Sequence, residues 1–260
     1  MIKEFMLGVS HFLKAPLYLS KKGLLHYYLW PLVVAILLYV SLFSSIFYLS
    51  DIITEKIFGR YSQENIGELL GTNGVLAIIT QWSIKGIMTV IYSIIVLMLS
   101  AKFSKYFVLI VLAPLFSFLS ERIEEIETGR KYPFSGFQLL KDMLRGTLIA
   151  LRNLTIELAL IALFGLLGLL IGPFTLLTVP FLWLVSAYYF GFSMMDYTCE
   201  RKKMSIKEGI QFIKSKRSFA LGIGVVYALL DMVPIVGLMI APINGVVGAT
   251  LGILEMESKE

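Results

Sequence analysis

Between Leu24 and Ser50 the chain runs for about 27 residues without a formal charge, LLHYYLWPLVVAILLYVSLFSSIFYLS. As a helix this run measures about 40 Å, enough to cross a bilayer with some tilt. Tyr27, Tyr28 and Trp30 cluster at its start, as aromatic side chains do at a membrane surface. The leader before it is about 23 residues, its core is too long, and no small-residue cleavage site follows, so it does not read as a cleavable signal peptide. Composition agrees with lipid as the main solvent. Of 260 residues 57% are hydrophobic and 16% charged, and the mean hydropathy is +0.81. That is more apolar surface than a water-facing particle of this size can hide, so a soluble globular fold is excluded.

Three further apolar stretches follow. Residues 84–119 make about 36 positions interrupted by Lys85, Lys102 and Lys105, too long for one simple span. Cutting at Lys102 leaves a segment that matches the hydrocarbon thickness, with a continuation bent near Pro114. Residues 147–196 carry Gly172-Pro173 and Val179-Pro180 in their middle, which predicts two helices joined by a turn and returning to the same side. Residues 219–254 also fold back. Their Pro234 and Pro242 are expected to leave arms of only about 12 to 15 residues, roughly 18 to 22 Å, too short to cross and suited to a re-entrant hairpin whose broken tip is buried in protein or lines water.

The charges give these segments sides. Lys3, Lys14, Lys21 and Lys22 precede the first span, and most remaining Lys and Arg lie in 122–152 and 201–217. Those regions are expected to share the cytoplasm, N-terminus included, whereas the loop with Asp51, Glu55, Glu64 and Glu68 faces the other side. Two crossings and two hairpins satisfy this rule, and so do full crossings by both arms of 147–196. Residues 120–146 mix signs nearly evenly, with Glu121 and Glu125, or Lys141 and Arg145, on common helix faces at i,i+4, and read as a helical connector. Residues 201–219 set Ile206, Ile210 and Ile213 against Lys207, Lys214 and Lys216, a basic amphipathic helix at headgroup level. Gly168 with Gly172, and Gly248 with Gly252, have the spacing that lets membrane helices approach closely.

The net charge of +5 is accounted for by sidedness, and no nucleic-acid partner is expected. One cysteine, Cys199, and two isolated histidines, His11 and His26, point to no metal centre. Gly245-Val-Val-Gly lacks the strand, lysine and hydroxyl of a nucleotide loop, and no nucleophile and base can be paired, so neither a cofactor nor an enzyme is expected.

Taken in order, Gly23-Leu24 before the span with Pro31, LAPLFSFLSERIEEIETG, Lys141-Asp142 with Arg145, MMDY at Asp196, and MVPIVGLMIAPINGVVGAT resemble the CysZ-type sulfate permeases of bacterial inner membranes, within the etoposide-induced-protein superfamily. The likeness covers nearly the whole length. It implies an all-α integral membrane protein forming a single membrane domain over 1–260, with two long transmembrane helices (24–50 and 84–119), two partly penetrating hairpins (147–196 and 219–254), and assembly as homo-oligomers in lipid. It also implies import of sulfate for cysteine biosynthesis, with the anion held where the glycine loop opens the first membrane helix. Two arginines normally follow the Gly-apolar pair there, and this chain has Leu25 and His26 in their place.

Arginine supplies a fork of donors and a permanent charge, whereas leucine supplies neither and an ordinary histidine is mostly neutral near pH 7. The candidate anion site is therefore Gly23, Leu24, Leu25 and His26, with Lys21 and Lys22 either as substitute point charges or as markers of the cytoplasmic flank. Lys102 and Lys105 either line an aqueous path or snorkel to the interface. Arg152 and Glu157 sit inside apolar sequence, where a charge is costly; Glu157 pairs with Arg145 or Arg152, or serves an ion path. Glu121 with Arg145 or Arg122 reads as a structural pair between connector helices. The expected function is a transporter or channel for a small anion such as sulfate; the alternative is a non-transporting scaffold of the same fold, acting through a partner protein.

Overall fold

The computed structural model describes residues 1–34, 36–38, 40, 41, 44, 48, 90, 109–131, 136–233 and 236–259. The chain divides into two compact units, Met1–Ala35 with Tyr106–Glu260, and Ile36–Lys105. In the second, the Ser44 hydroxyl donates to the carbonyl of Val40 one helical turn back. Lys102, Lys105 and Pro234 lie outside the described residues, as does 84–108 apart from Val90.

The first unit is helical throughout its described secondary structure. Helix α1 spans Ile2–Lys21, and its buried residues Gly8, Phe12, Ala15 and Leu19 recur at the spacing of one helical face. It closes in a Schellman turn: Gly23 takes φ 72°, Leu24 N–H donates to Leu19 (2.8 Å), and Gly23 N–H donates to Ser20 (3.3 Å). Glycine is needed there because a Cβ disfavours positive φ. A 3₁₀ turn over Leu25–Tyr28 then opens the apolar helical run 25–38.

Helix α2 spans Ala113–Thr128, with Pro114 in its first turn, where the missing N–H costs no intrahelical bond. Its C-cap Gly129 is left-handed. The connector expected over 120–146 is therefore two helices, with α3 starting at Gly136 and running to Leu170. A 3₁₀ turn at Gly172–Phe174 joins it to α4, Thr175–Arg201. The turn predicted at Gly172-Pro173 is present, whereas Pro180 sits inside α4.

Helix α5 spans Ile206–Ser215 and begins with a reciprocal cap, in which Ser205 accepts from Glu208 N–H and Glu208 accepts from Ser205 N–H. Gly209 and Ile213 face inward and the lysines outward. Helix α6 covers Arg217–Asp231 and α7 covers Val236–Glu257. The 15-residue first arm agrees with the expected length. The second does not, because α7 continues through Pro242 for 22 residues, about 33 Å. A helix-interior proline costs roughly 3 kcal/mol, and packing of buried Pro242 within a helix held by α1, α2, α4 and α6 overrides it.

Among the described residues, three helical segments are long and apolar enough to cross a membrane: Leu144–Gly168, Gly172–Arg201 and Val236–Glu257. Their surroundings differ. The most apolar stretch of α7 is 78% buried, that of the α3 segment 22%, so α7 is the centre of the helix cluster and α3 with α4 turns leucines outward. The α4–α6 seam is tight, because Gly191 and Gly224 bring the two backbones together and Phe190 stacks on Tyr227 at 4.2 Å. Gly248 and Gly252 do mark a close approach, to Phe12 of α1 and Phe219 of α6, but Gly172 meets open space at the α3–α4 turn.

Candidate functional site

The Schellman turn at Gly23 points the following residues toward α2. His26, Tyr27 and Trp30 on one side, and Leu115, Phe118, Glu121, Arg122 and Glu125 on the other, enclose an open cleft of about 390 Å³. Glu121 and Glu125 share a face of α2, as their spacing predicts. Arg122 Nη1 donates to Glu125 Oε2 at 2.6 Å, with its side chain 51% exposed. Tyr28, beside the cleft residues, donates to the buried Asn244 of α7.

Among the sequence candidates, Leu25 and His26 are exposed, Leu24 is buried, and Lys21 is exposed at the last turn of α1. Lys22 lies 3.4 Å from Glu127 at the end of α2, and Tyr18 donates to the same carboxylate at 3.0 Å. Burial, the hydrogen bond to Glu127 and its charge push the Tyr18 hydroxyl above the usual phenol range. Lys22 is thus held to α2. The cleft instead receives Arg122, a residue the sequence reading weighed only as a structural partner of Glu121. The available signal was the pattern ERIEE, which puts Arg122 among carboxylates one turn apart but does not show that α2 faces the Gly23 turn.

The buried charges, Glu124, Arg145, Glu157, Asp196, Glu200 and Arg201, form a polar band across the helices. Arg145 grips Asp196 with two donors (Nη2 to Oδ1, 2.8 Å; Nε to Oδ2, 3.4 Å) and donates Nη1 to the carbonyl of Met204. Gly209 leaves room for this pair, since a Cβ there would stand 2.5 Å from Arg145 Nη2. Arg201 faces Glu124 and donates to Ser120, whose hydroxyl is 2.9 Å from that of Thr250. Ser117 donates to Glu200 at 2.6 Å. Deeper along the hairpin, Glu157 accepts from Ser186, while Arg152 donates to Asn153 (2.9 Å) and its guanidinium lies 5.6 Å from the Phe192 ring. The structure therefore joins Arg145 to Asp196 on α4, and gives Glu157 a serine partner.

This band ties α2, α3, α4, α5 and α7 together with charges removed from water, which stay ionised only when paired and hydrogen-bonded. Among the described residues no group of His, Cys, Asp and Glu could hold a metal ion.

The chain is similar to the protein named Sulfate transporter CysZ of Vibrio parahaemolyticus, 28% identical over 172 residues, 62% of this chain and 66% of that relative. It is also similar to proteins of that name from Pseudomonas fluorescens (29% over 150 residues; 55% of this chain, 57% of the relative) and Pseudomonas aeruginosa (31% over 144 residues; 55% and 58%). These alignments span less than two thirds of each relative's length. The sequence model described as Sulfate transporter CysZ/Etoposide-induced protein 2.4 matches residues 11–242, which take in α1 from His11, the Gly23 turn, the cleft and every named residue of the buried charge band except Thr250. With most of its length matched, and with helices long and apolar enough to cross a membrane among its described residues, the chain belongs to the sulfate transporter CysZ/etoposide-induced protein 2.4 family.

Proposed function

We propose that the chain is a permease or channel for a small inorganic anion, sulfate foremost, in a bacterial inner membrane, entered at the cleft between the Gly23 turn and α2. The observation that carries this reading is the meeting of His26 and Arg122 in one cleft: the permanent charge absent at positions 25 and 26 is supplied from α2. The Arg122–Glu125 pair is half-exposed, and such a pair is worth about 0.2–1 kcal/mol, so an arriving anion can compete with the carboxylate. Weak capture suits conduction, which requires that an ion also leave.

In this reading α6, about 22 Å long, enters the bilayer without crossing it, the N-terminus and the α4–α5 turn are cytoplasmic, and copies of the chain assemble in the membrane. A second reading, a scaffold that no longer transports, is favoured by one fact: Glu121 and Glu125 outnumber Arg122 in the cleft. Radiolabelled sulfate uptake into proteoliposomes separates the two, with empty liposomes and a Leu25→Arg/His26→Arg variant beside the natural protein. Uptake by the natural chain supports transport, uptake by the variant alone gives the path another cargo, and silence from both supports the scaffold.

A further inference from the structure

A second concavity, about 680 Å³, opens where the α3–α4 hairpin meets the α5–α6 junction. Its wall is apolar, formed by Leu160 of α3, Phe181 and Leu184 of α4 and Leu221 of α6. Phe181 and Leu184 are each 44% exposed, continuous with the outward leucines of membrane-length helices, so the groove opens sideways toward lipid. Its other end is cationic: Lys214 and Arg217 line it with the hydroxyl-bearing Ser218, and no carboxylate stands among the described lining residues. Neither cation makes an ion pair among the described residues, in a protein where the buried Arg145 is paired with Asp196 and Arg201 with Glu124. Tyr188 and Tyr189 sit between the two ends, where amphipathic rings favour a headgroup boundary.

We propose that this groove is a binding site for an anionic glycerophospholipid, its phosphate held by Lys214 and Arg217 and one acyl chain laid along Leu160, Phe181 and Leu184. The charge pattern selects this occupant. A basic pocket at one membrane surface, between helices and running into an apolar furrow, matches a phosphodiester on a hydrocarbon chain. From Phe181 to Tyr188 the wall rises about 10 Å, room for the upper part of an acyl chain. The lysine and arginine belong to the basic segment 201–217, so the lipid is drawn from the leaflet that this segment faces.

The test is native mass spectrometry of the full-length protein in detergent with phosphatidylglycerol or phosphatidylcholine at equal concentration, and with glycerol 3-phosphate as the headgroup alone. Phosphatidylglycerol is expected to be retained at least about fivefold more than phosphatidylcholine, and Lys214→Gln/Arg217→Gln to bring the two within about twofold. A Lys3→Gln/Lys14→Gln variant, altering exposed lysines of α1, is expected to leave the preference unchanged. On the natural protein, a photoactivatable phosphatidylglycerol should crosslink to residues 181–188 and 214–221, a readout independent of any variant's folding. Equal retention of the two lipids, a preference that survives Lys214→Gln/Arg217→Gln, or crosslinks confined to other segments would overturn the proposal. Glycerol 3-phosphate held as firmly as the lipid would make it a free-phosphate site, and a dimer persisting with no lipid retained would give the groove to a second copy; either also overturns it.

Discussion

Replacing Gly224 with alanine places a methyl group where the α4 backbone already lies. A Cβ at Gly224 falls 1.7 Å from the Ala187 carbonyl oxygen and 2.9 Å from Gly191 N, and one at Gly191 falls 1.8 Å from Ala220 O. Contacts under 3.0 Å are essentially never made, and the obstructing atoms are backbone, so no rotamer change relieves them. The two helices must part by at least about 1.3 Å at this crossing. A gap of 0.5–1 Å already forfeits a quarter to a half of the dispersion attraction between facing atoms, and this seam holds the Phe190–Tyr227 stack and buried Ile223 and Ala187. Overpacking of a tight core costs about 1–3 kcal/mol, and a backbone-on-backbone clash belongs at the upper end. We therefore expect Gly224→Ala to lose about 3 kcal/mol. Gly165→Ala on α3 is the matched control: nothing lies within 4 Å, and the helix gains about 0.5–1 kcal/mol from propensity. Chemical unfolding in mixed micelles, followed by intrinsic fluorescence, measures both. A Gly224→Ala protein within 0.5 kcal/mol of the natural one, an order-of-magnitude threshold set by ordinary surface substitutions, would refute the reasoning.

Gly209→Ala pushes a methyl into Arg145 Nη2 and should disengage the guanidinium from Asp196; breaking a buried pair costs about 3–5 kcal/mol, read as a lowered unfolding midpoint that Lys207→Ala, exposed on the same helix, does not share. Hydrogen bonds from the Ser205 backbone and hydroxyl hold the Glu208 carboxyl below the usual glutamate range. Their support of α5 is therefore complete above the ordinary pKa and is lost as pH falls through the lowered one. Amide protection in α5 should hold at neutral pH and decline below about pH 4; Glu208→Gln, which removes the titrating carboxyl, should abolish that acid step, whereas Ser205→Ala, which loses about 1 kcal/mol of capping but keeps the backbone donor, should only reduce it. Cysteines placed at Lys21 and Lys203 should react with an impermeant maleimide only after lysis; labelling in intact cells would reverse the assigned orientation.

Parts of this fold are written locally and others are not. Gly172-Pro173 announces the α3–α4 turn, and the Ile206, Ile210 and Ile213 stripe announces α5, because both signals lie within a few residues of what they specify. Helix α1 carried an equally plain stripe, Gly8, Phe12, Ala15 and Leu19, overshadowed by the apolar run that follows it. Prolines misled in the other direction. Pro180 and Pro242 look like breaks, yet each lies inside a helix, and Pro242 is buried where packing against α1, α2, α4 and α6 outweighs the lost hydrogen bond. Arg145 with Asp196 spans 51 residues and Arg201 with Ser120 spans 81, distances over which a sequence displays charges without showing partners. The same limit hid Arg122, whose place opposite His26 depends on how α2 meets the Gly23 turn.

The central claim is that Arg122 supplies the cation of the anion entrance. Its most direct test is the initial rate of radiolabelled sulfate uptake into proteoliposomes by the natural protein and by Arg122→Gln, at equal reconstituted amounts. The account predicts uptake above empty liposomes by the natural chain and a loss of about tenfold or more in the variant, since removing one partner of a charge-assisted contact costs about 1.5–3 kcal/mol. Uptake by Arg122→Gln equal to that of the natural protein would contradict it.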